Sequence, residues 1–304
     1  MRIVGIDIGG TTIKADIYDN HGKSYGYFRE EKTAIDKGKQ QNGIVGQVLA
    51  ILADYQKEVV FDGIALSTAG VVDSHKGEIL YAGPSIPAYQ GVNFRKEIGD
   101  KLGIPVAVEN DVNCAVLAEA WLGAAQGKQD VVMVTVGTGI GGGFLQSGHL
   151  VRGSTFTGGE IGYIPIGETT WQEVASTTAL IEDYEQSTGL GGINGKDVCD
   201  AVDQGNSLAE AVLDQFIDHL ATGLLTLSYA LNPEILLIGG GISARSDLLL
   251  PRLEKVMKNR IQNVRFLPAV IAKAALGNEA GRIGAVRHFL NQYGEESCSL
   301  RIKD

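Results

Sequence analysis

Cysteine is scarce in this chain of 304 residues: Cys114, Cys199 and Cys298 are odd in number and far apart. That rules out a disulfide framework, points to a reducing compartment and leaves too few thiols for a Cys-based zinc site. Long apolar runs are missing too; none approaches the ~20 residues that span a bilayer. The N-terminus, "MRIVGIDIGG", enters a strand at once, with neither a signal-peptide core nor a cleavage site. Positive charge is in deficit, with 26 Lys and Arg against 36 Asp and Glu for a net charge of −10. Such a surface argues against nucleic acid or anionic membrane as the main partner. What remains is an ordinary globular composition, 44% hydrophobic and 20% charged. At roughly 150 residues per domain it implies about two domains. The reading is a soluble, cytoplasmic protein.

Glycine is what the chain has in quantity: 41 residues, against only 7 Pro. The glycines gather at the ends of apolar strands, where close backbone approach or positive φ is needed. "DIGGTT" (7–12), "GTGIGGG" (137–143) and "IGGGIS" (238–243) each follow a strand. Successive exposed N–H groups in such turns make anion-binding nests. None fits the phosphate-loop pattern G-x-x-x-x-G-K-[ST], and no helix follows the first two turns as a dinucleotide fingerprint requires. Asp7 sits just before the first turn. A carboxylate beside phosphates is repelled unless a cation bridges them, and Mg²⁺ takes one or two carboxylates plus phosphate oxygens and waters. The plainer reading is a strand-end Asp bonded to turn N–H groups.

A repeat organises the rest. "DVVMVTVGTGIGGGFLQSGHLVRG" repeats the plan of residues 2–24: apolar strand, Thr/Gly turn, second strand, small polar turn, third strand. Helical periodicity predicts helices over about 44–56, 173–188, 207–231 and 246–262, and from Asn278 onward. "NFRKEIGDKLG" reads as a helix stopped by Gly103, and "FLPAVIAKA" as a strand. Two such units imply two α/β domains facing one another across a cleft. In "VAVENDVNCAVLAEAWLGAA" (106–125) a strand ends, three polar residues follow, and a helix begins. Asn110 or Asp111 could cap that helix. Three polar residues exceed one cap's needs, and strand carboxyl ends are where open α/β sheets bind ligands.

Taken together and in order, "GIDIGGTTIKADIYD", "AGVVD", "VENDVNCAVLAEAWLGAA", "TVGTGIGGGFLQSGHLVRG", "GGEIGYIPIG" and "LIGGGIS" resemble the ROK family of sugar kinases. The resemblance covers residue 3 to about 290. It implies a two-domain actin-like ATPase (ribonuclease H-like) fold with an interdomain cleft, the smaller domain spanning 1–115 plus 283–304 and the larger 116–282. It implies ATP and Mg²⁺ as cofactors, the cation held by Asp7 through water. Gly9, Gly10, Thr11, Thr12 and Lys14, with Thr138, Gly139 and Gly141, would hold phosphates; Gly239, Gly240 and Gly241 would lie along the adenosine. Asp111 would be the base that takes the proton of a sugar hydroxyl, with Asn110 on a neighbouring hydroxyl and Glu109 structural. Glu160 and Glu173 would receive adjacent hydroxyls, and Gly70 would line the pocket.

Two departures bear on specificity. Family members often carry Gly-His after the first of these glutamates, then a Cys-rich zinc loop; here the pair is Gly162–Tyr163, and "IPIGETTWQ" (164–172) has neither Cys nor His. Zinc needs thiolate or imidazole in most structural sites, so none is expected, and Tyr163 either donates to the sugar or packs. The pattern is similar to zinc-less members, β-glucoside kinases and glucokinases among them. The implied activity is phosphoryl transfer to O6 of a hexose or of a β-glucoside's glucosyl unit, by a homodimer. The alternative is a sugar-binding regulator, repressor-like or catalytically silent. Repressors of this kind carry an N-terminal helix-turn-helix, which a first strand beginning at residue 2 leaves no room for.

Overall fold

A computed structural model describes residues 1–294; Cys298 and positions 295–304 of the expected smaller domain lie outside the described residues. Ten strands form two five-stranded sheets. They are β1 (Ile3–Ile8), β2 (Thr12–Tyr18), β3 (Arg29–Lys32), β4 (Gly63–Thr68), β5 (Val106–Asn110), β6 (Val131–Val136), β7 (Ile140–Gln146), β8 (His149–Leu150), β9 (Ile235–Gly239) and β10 (Val270–Lys273). The longer helices are α1 (Ile44–Glu58), α2 (Asp111–Leu122), α3 (Trp171–Ala175), α4 (Thr177–Thr188), α5 (Gly195–Asp203), α6 (Ser207–Leu231), α7 (Ser246–Arg260) and α8 (Ala280–Tyr293).

The chain divides into two compact units. The first holds Met1–Leu122, Gly153–Thr157 and the segment from Asn278 onward; the second holds Gly123–Arg152 and Gly158–Gly277. All of α2 thus falls in the first unit, whereas the sequence boundary at residue 115 cuts it. Strand order is β3-β2-β1-β4-β5 in the first sheet and β8-β7-β6-β9-β10 in the second. In both, the first strand pairs antiparallel with the second and parallel with the fourth, which pairs parallel with the fifth. The repeat seen in the sequence is one topology used twice. Counting back from the hairpins, Asp7 of the first copy corresponds to Thr135 of the second.

Period-two alternation decides what each face of the first sheet meets. Ile6, Leu66 and Val108 are in register and, with Ile8, Ile64 and Val106, bury against Ile44, Val48, Ile51 and Leu52 of α1. The opposite face carries Gly5, Ala65 and Ala107 in register, then Asp7, Ser67 and Glu109 in register. Small residues let α8 lie close: a Cβ on Gly63 would stand 2.0 Å from the Phe289 ring. The second unit has its own core, where Val132, Val134, Val136, Leu236 and Ile238 meet Leu213, Leu220 and Leu224 of α6. Each fully buried Leu there is worth about 1.5–3 kcal/mol of apolar burial before ordering entropy is counted.

Two sequence expectations are corrected. The helix read over 173–188 is two helices, because Ser176 is extended and its side chain accepts from Ala179 N to cap the second. The strand read in "FLPAVIAKA" shrinks to Val270–Lys273, with a 3₁₀ turn at Val264–Phe266. Helix α5 was not foreseen, although Asn194 and Asp197 form its capping box.

Candidate functional site

In the first unit the carboxyl ends of three adjacent parallel strands gather most of the polar candidates. β5 ends at Asn110, and α2 starts at once with Asp111. Asn110 Oδ1 accepts from Val112 N at 2.9 Å and Asn113 N at 3.1 Å, which makes Asn110 the helix cap. Its Nδ2 donates to Gly70 O and to Asp111 Oδ1, both at 3.0 Å. The amide's two acceptor and two donor places are therefore all used, and they lock its orientation. Asp111 Oδ1 also accepts from Val112 N at 2.9 Å, so two donors fix that carboxylate. Gly70 sits at φ 101°, and a Cβ there would stand 2.6 Å from Tyr81 O, so the carbonyl facing Asn110 depends on glycine.

Behind this pair Glu109 is buried. Its Oε1 accepts from Asn110 N and from Asn113 Nδ2, each at 2.9 Å, and Oε2 stands 3.9 Å from His288 Nε2 of α8. One strand over, Ser67 Oγ donates to Asp7 Oδ1 at 2.7 Å. Burial pushes the Asp7 carboxyl up, while the Ser67 bond and the charges of Arg282 and Lys14 pull it down. Lys14 is the cross-strand partner of Asp7 on β2. The turn between them is closed by Gly9 N donating to Thr12 O at 3.0 Å, and Thr33 holds it from the side through bonds to Gly9 O and Thr11 O. Gly10 is exposed. A partly desolvated carboxylate beside a glycine turn suits Mg²⁺ bound chiefly by phosphate oxygens and water. Among the described residues no group of three or more His, Cys, Asp or Glu could enclose a metal by itself.

In the second unit Gly137 N donates to Gly139 O at 3.0 Å, closing the turn that carries Thr138. Thr177 N and Thr178 Oγ1, at the start of α4, bond Gly137 O and Thr138 O at 2.8 and 3.0 Å. The third turn lies beside the second. Gly239 pairs with Thr135, and a Cβ on Gly240, at φ 80°, would stand 2.3 Å from Val136 O. Gly141 pairs with Thr135 across the hairpin, and its neighbour Gly142 makes a backbone-on-backbone contact. Gly142 N donates to Gly159 O at 2.9 Å, and a Cβ on Gly159 would fall 2.1 Å from Gly142 O. That contact places Glu160, whose carboxyl desolvation pushes up. Gln172 wedges against both Gly139 and Gly162, a residue that sequence reasoning passed over. Tyr163 is exposed. The segment after it is a short hairpin, Pro165–Ile166 against Thr169–Thr170. Glu173 closes that hairpin onto α3: its Oε2 accepts from Thr169 Oγ1, Thr170 N and Thr170 Oγ1, and these bonds hold its carboxyl down at about 2.

Two α/β units of one topology, with glycine turns and acidic side chains at the strand ends, define the actin-like ATPase class. Within that class the chain belongs to the ROK family, whose family model matches residues 3–292. It is 33% identical to a β-glucoside kinase of Listeria monocytogenes over 96% of this chain and 98% of that one. It is 28% identical to a glucokinase of Thermotoga maritima, covering 97% and 99%. The solved structure of a ROK glucokinase from Streptomyces griseus in complex with glucose and AMPPNP matches with a TM-score of 0.77, 28% identity and coverage of 94% and 98%.

Proposed function

We propose that the protein is an ATP-dependent sugar kinase that transfers the γ-phosphate of ATP to O6 of a hexose or of the glucosyl unit of a β-glucoside. The observation that carries the reading is the Asn110–Asp111 junction, where a carboxylate at a strand end is fixed by two donors. A sugar hydroxyl is a poor nucleophile until its proton has somewhere to go. In this reading the Asp111 carboxylate accepts the O6 proton as O6 bonds to the γ-phosphorus and the bond to ADP breaks, giving sugar 6-phosphate and ADP. The proton then passes to water. Asn110 orients Asp111, and it reaches a neighbouring hydroxyl by exchanging its bond to Gly70 O.

Gly9, Gly10, Thr11, Thr12 and Lys14, with Thr138, Gly139 and Gly141, take phosphate oxygens; Gly239–Gly241 take the adenosine side. Asp7 would hold Mg²⁺ through water, and the bound cation would supply neutralisation of phosphate charge. Glu160 and Glu173 accept sugar hydroxyls, with Tyr163 beside them. The short hairpin at 165–170, in place of a zinc-binding loop, leaves space at the anomeric end and favours β-glucosides. A homodimeric, cytoplasmic enzyme accompanies the reading. Among the described residues no helix is long and apolar enough to cross a membrane. A coupled ADP-release assay over free hexoses and β-glucosides tests the substrate. Turnover on a β-glucoside above that on glucose supports the anomeric-space argument, and turnover on free hexoses alone removes it.

A further inference from the structure

The side of α8 turned toward the first sheet and α2 carries Gly281, Gly284 and His288, spaced three and four residues apart. Opposite them runs the polar row Asp7, Ser67 and Glu109, one residue from each of three parallel strands. His288 meets the Glu109 end of that row. Gly284 lies on the backbone of α2, where a Cβ would be 1.7 Å from Cys114 O; it serves helix approach. Gly281 is different. The nearest atoms to a Cβ there are Asp7 Oδ1 at 2.5 Å, Asp7 Cγ at 2.7 Å and Ser67 Oγ at 3.0 Å, all side-chain atoms of the row. The carboxyl of Asp7 thus occupies the space that a methyl group at 281 would fill.

We propose that Gly281 is a positioning residue: the bare backbone of the first turn of α8 is the wall that sets where the Asp7 carboxyl points. Ser67 holds Oδ1 from one side and Gly281 gives it room on the other. A side chain at 281 turns the carboxyl away from the Gly9–Thr11 turn without touching the sugar-binding residues. What Asp7 does there rests on the kinase reading; the packing that aims it does not.

The test uses Gly281→Ala in the full chain, alone and combined with Asp7→Ala, followed by thermal unfolding and by steady-state kinetics. Gly281→Ala is expected to lower Tm, and the loss is expected to vanish largely in the Asp7→Ala background, where the obstructing carboxyl is gone. In kinetics the single variant is expected to lower kcat about 10- to 100-fold, the scale of a misplaced polar group. It should also raise the Mg²⁺ concentration for half-maximal rate and leave sugar affinity at its wild-type value. If the single variant fails to fold while the double variant folds, the proposal is supported; if neither folds, it is wrong. A Tm loss undiminished in the Asp7→Ala background overturns it, as does wild-type kcat and Mg²⁺ dependence in Gly281→Ala. A wild-type protein that phosphorylates no sugar defeats the kinase reading alone, because the unfolding cycle still decides whether Gly281 seats Asp7.

Discussion

Asn110 shows how one side chain serves fold and site together. Its Oδ1 caps α2, and its Nδ2 ties Asp111 to Gly70 O. Asn110→Ala removes both, so it is expected to cost about 1 kcal/mol of stability from the cap and to lower kcat by freeing Asp111. Asn110→Ser keeps a cap acceptor and loses the amide donor that faces Gly70 O and Asp111. A comparison of Tm with kcat across the two variants separates the effects: Ser should restore Tm in part but not turnover. Glu173 makes a second prediction. Its carboxyl is held down at about 2 from an ordinary 4.5 by Thr170 and Thr169. A depressed acid contributes stability that is present above its unfolded value and lost as pH falls through the folded one. Wild type should therefore lose part of its Tm between pH 4.5 and about 2 that Glu173→Gln has already lost at neutral pH. Parallel profiles for the two proteins would contradict this. The sequence posed cap and catalyst as rivals at Asn110 and Asp111, because spacing shows that a polar residue starts a helix but not which of its atoms remain for other work. Ser67, Gln172 and Gly281 were invisible for the same reason: each matters through a neighbour distant in sequence.

At the level of elements, glycine separates into kinds that sequence alone merges. Gly46 lies on the exposed side of α1 with nothing within 4 Å of a Cβ, whereas Gly223 of α6 is filled by the buried Trp171 ring at 2.1 Å. Gly46→Ala is accordingly expected to raise stability by about 0.5–1 kcal/mol. Gly223→Ala should lower it by about 1–3 kcal/mol through overpacking. Trp171 opens the helix that bears Gln172 and Glu173, so the second change should also weaken sugar binding. Denaturant unfolding and sugar titration of both variants check the contrast, and equal signs for the two would refute it. The hairpins, the parallel strands and the helices α1, α6 and α7 follow from period and punctuation, since each buries a regular apolar face. The break at Ser176 was hidden because Ala175 and Ala179 keep a helical spacing across the polar Ser176–Thr178, and α5 because the glycine run before Asn194 looks like loop.

For the whole molecule, the repeated topology was readable from the plan that residues 2–24 share with "DVVMVTVGTGIGGGFLQSGHLVRG". Each unit closes its own core, as the separate apolar clusters show. What spacing could not reveal is the divergence within the repeat: Asp7 in one copy and Thr135 in the other. If both units serve one sugar kinase, saturating sugar should stabilise the protein by about 2.7 kcal/mol at roughly 100 times its Kd, visible as a rise in Tm that Glu160→Gln diminishes. No rise with any hexose or β-glucoside would leave the pocket residues without a ligand. The most direct test joins chemistry to one side chain. Wild type and Asp111→Asn are incubated with ATP, Mg²⁺ and the preferred sugar, while sugar 6-phosphate and sugar affinity are measured in parallel. The account predicts that Asp111→Asn binds sugar as wild type does yet forms product about 10²- to 10⁴-fold more slowly. Turnover of Asp111→Asn at the wild-type rate would contradict it.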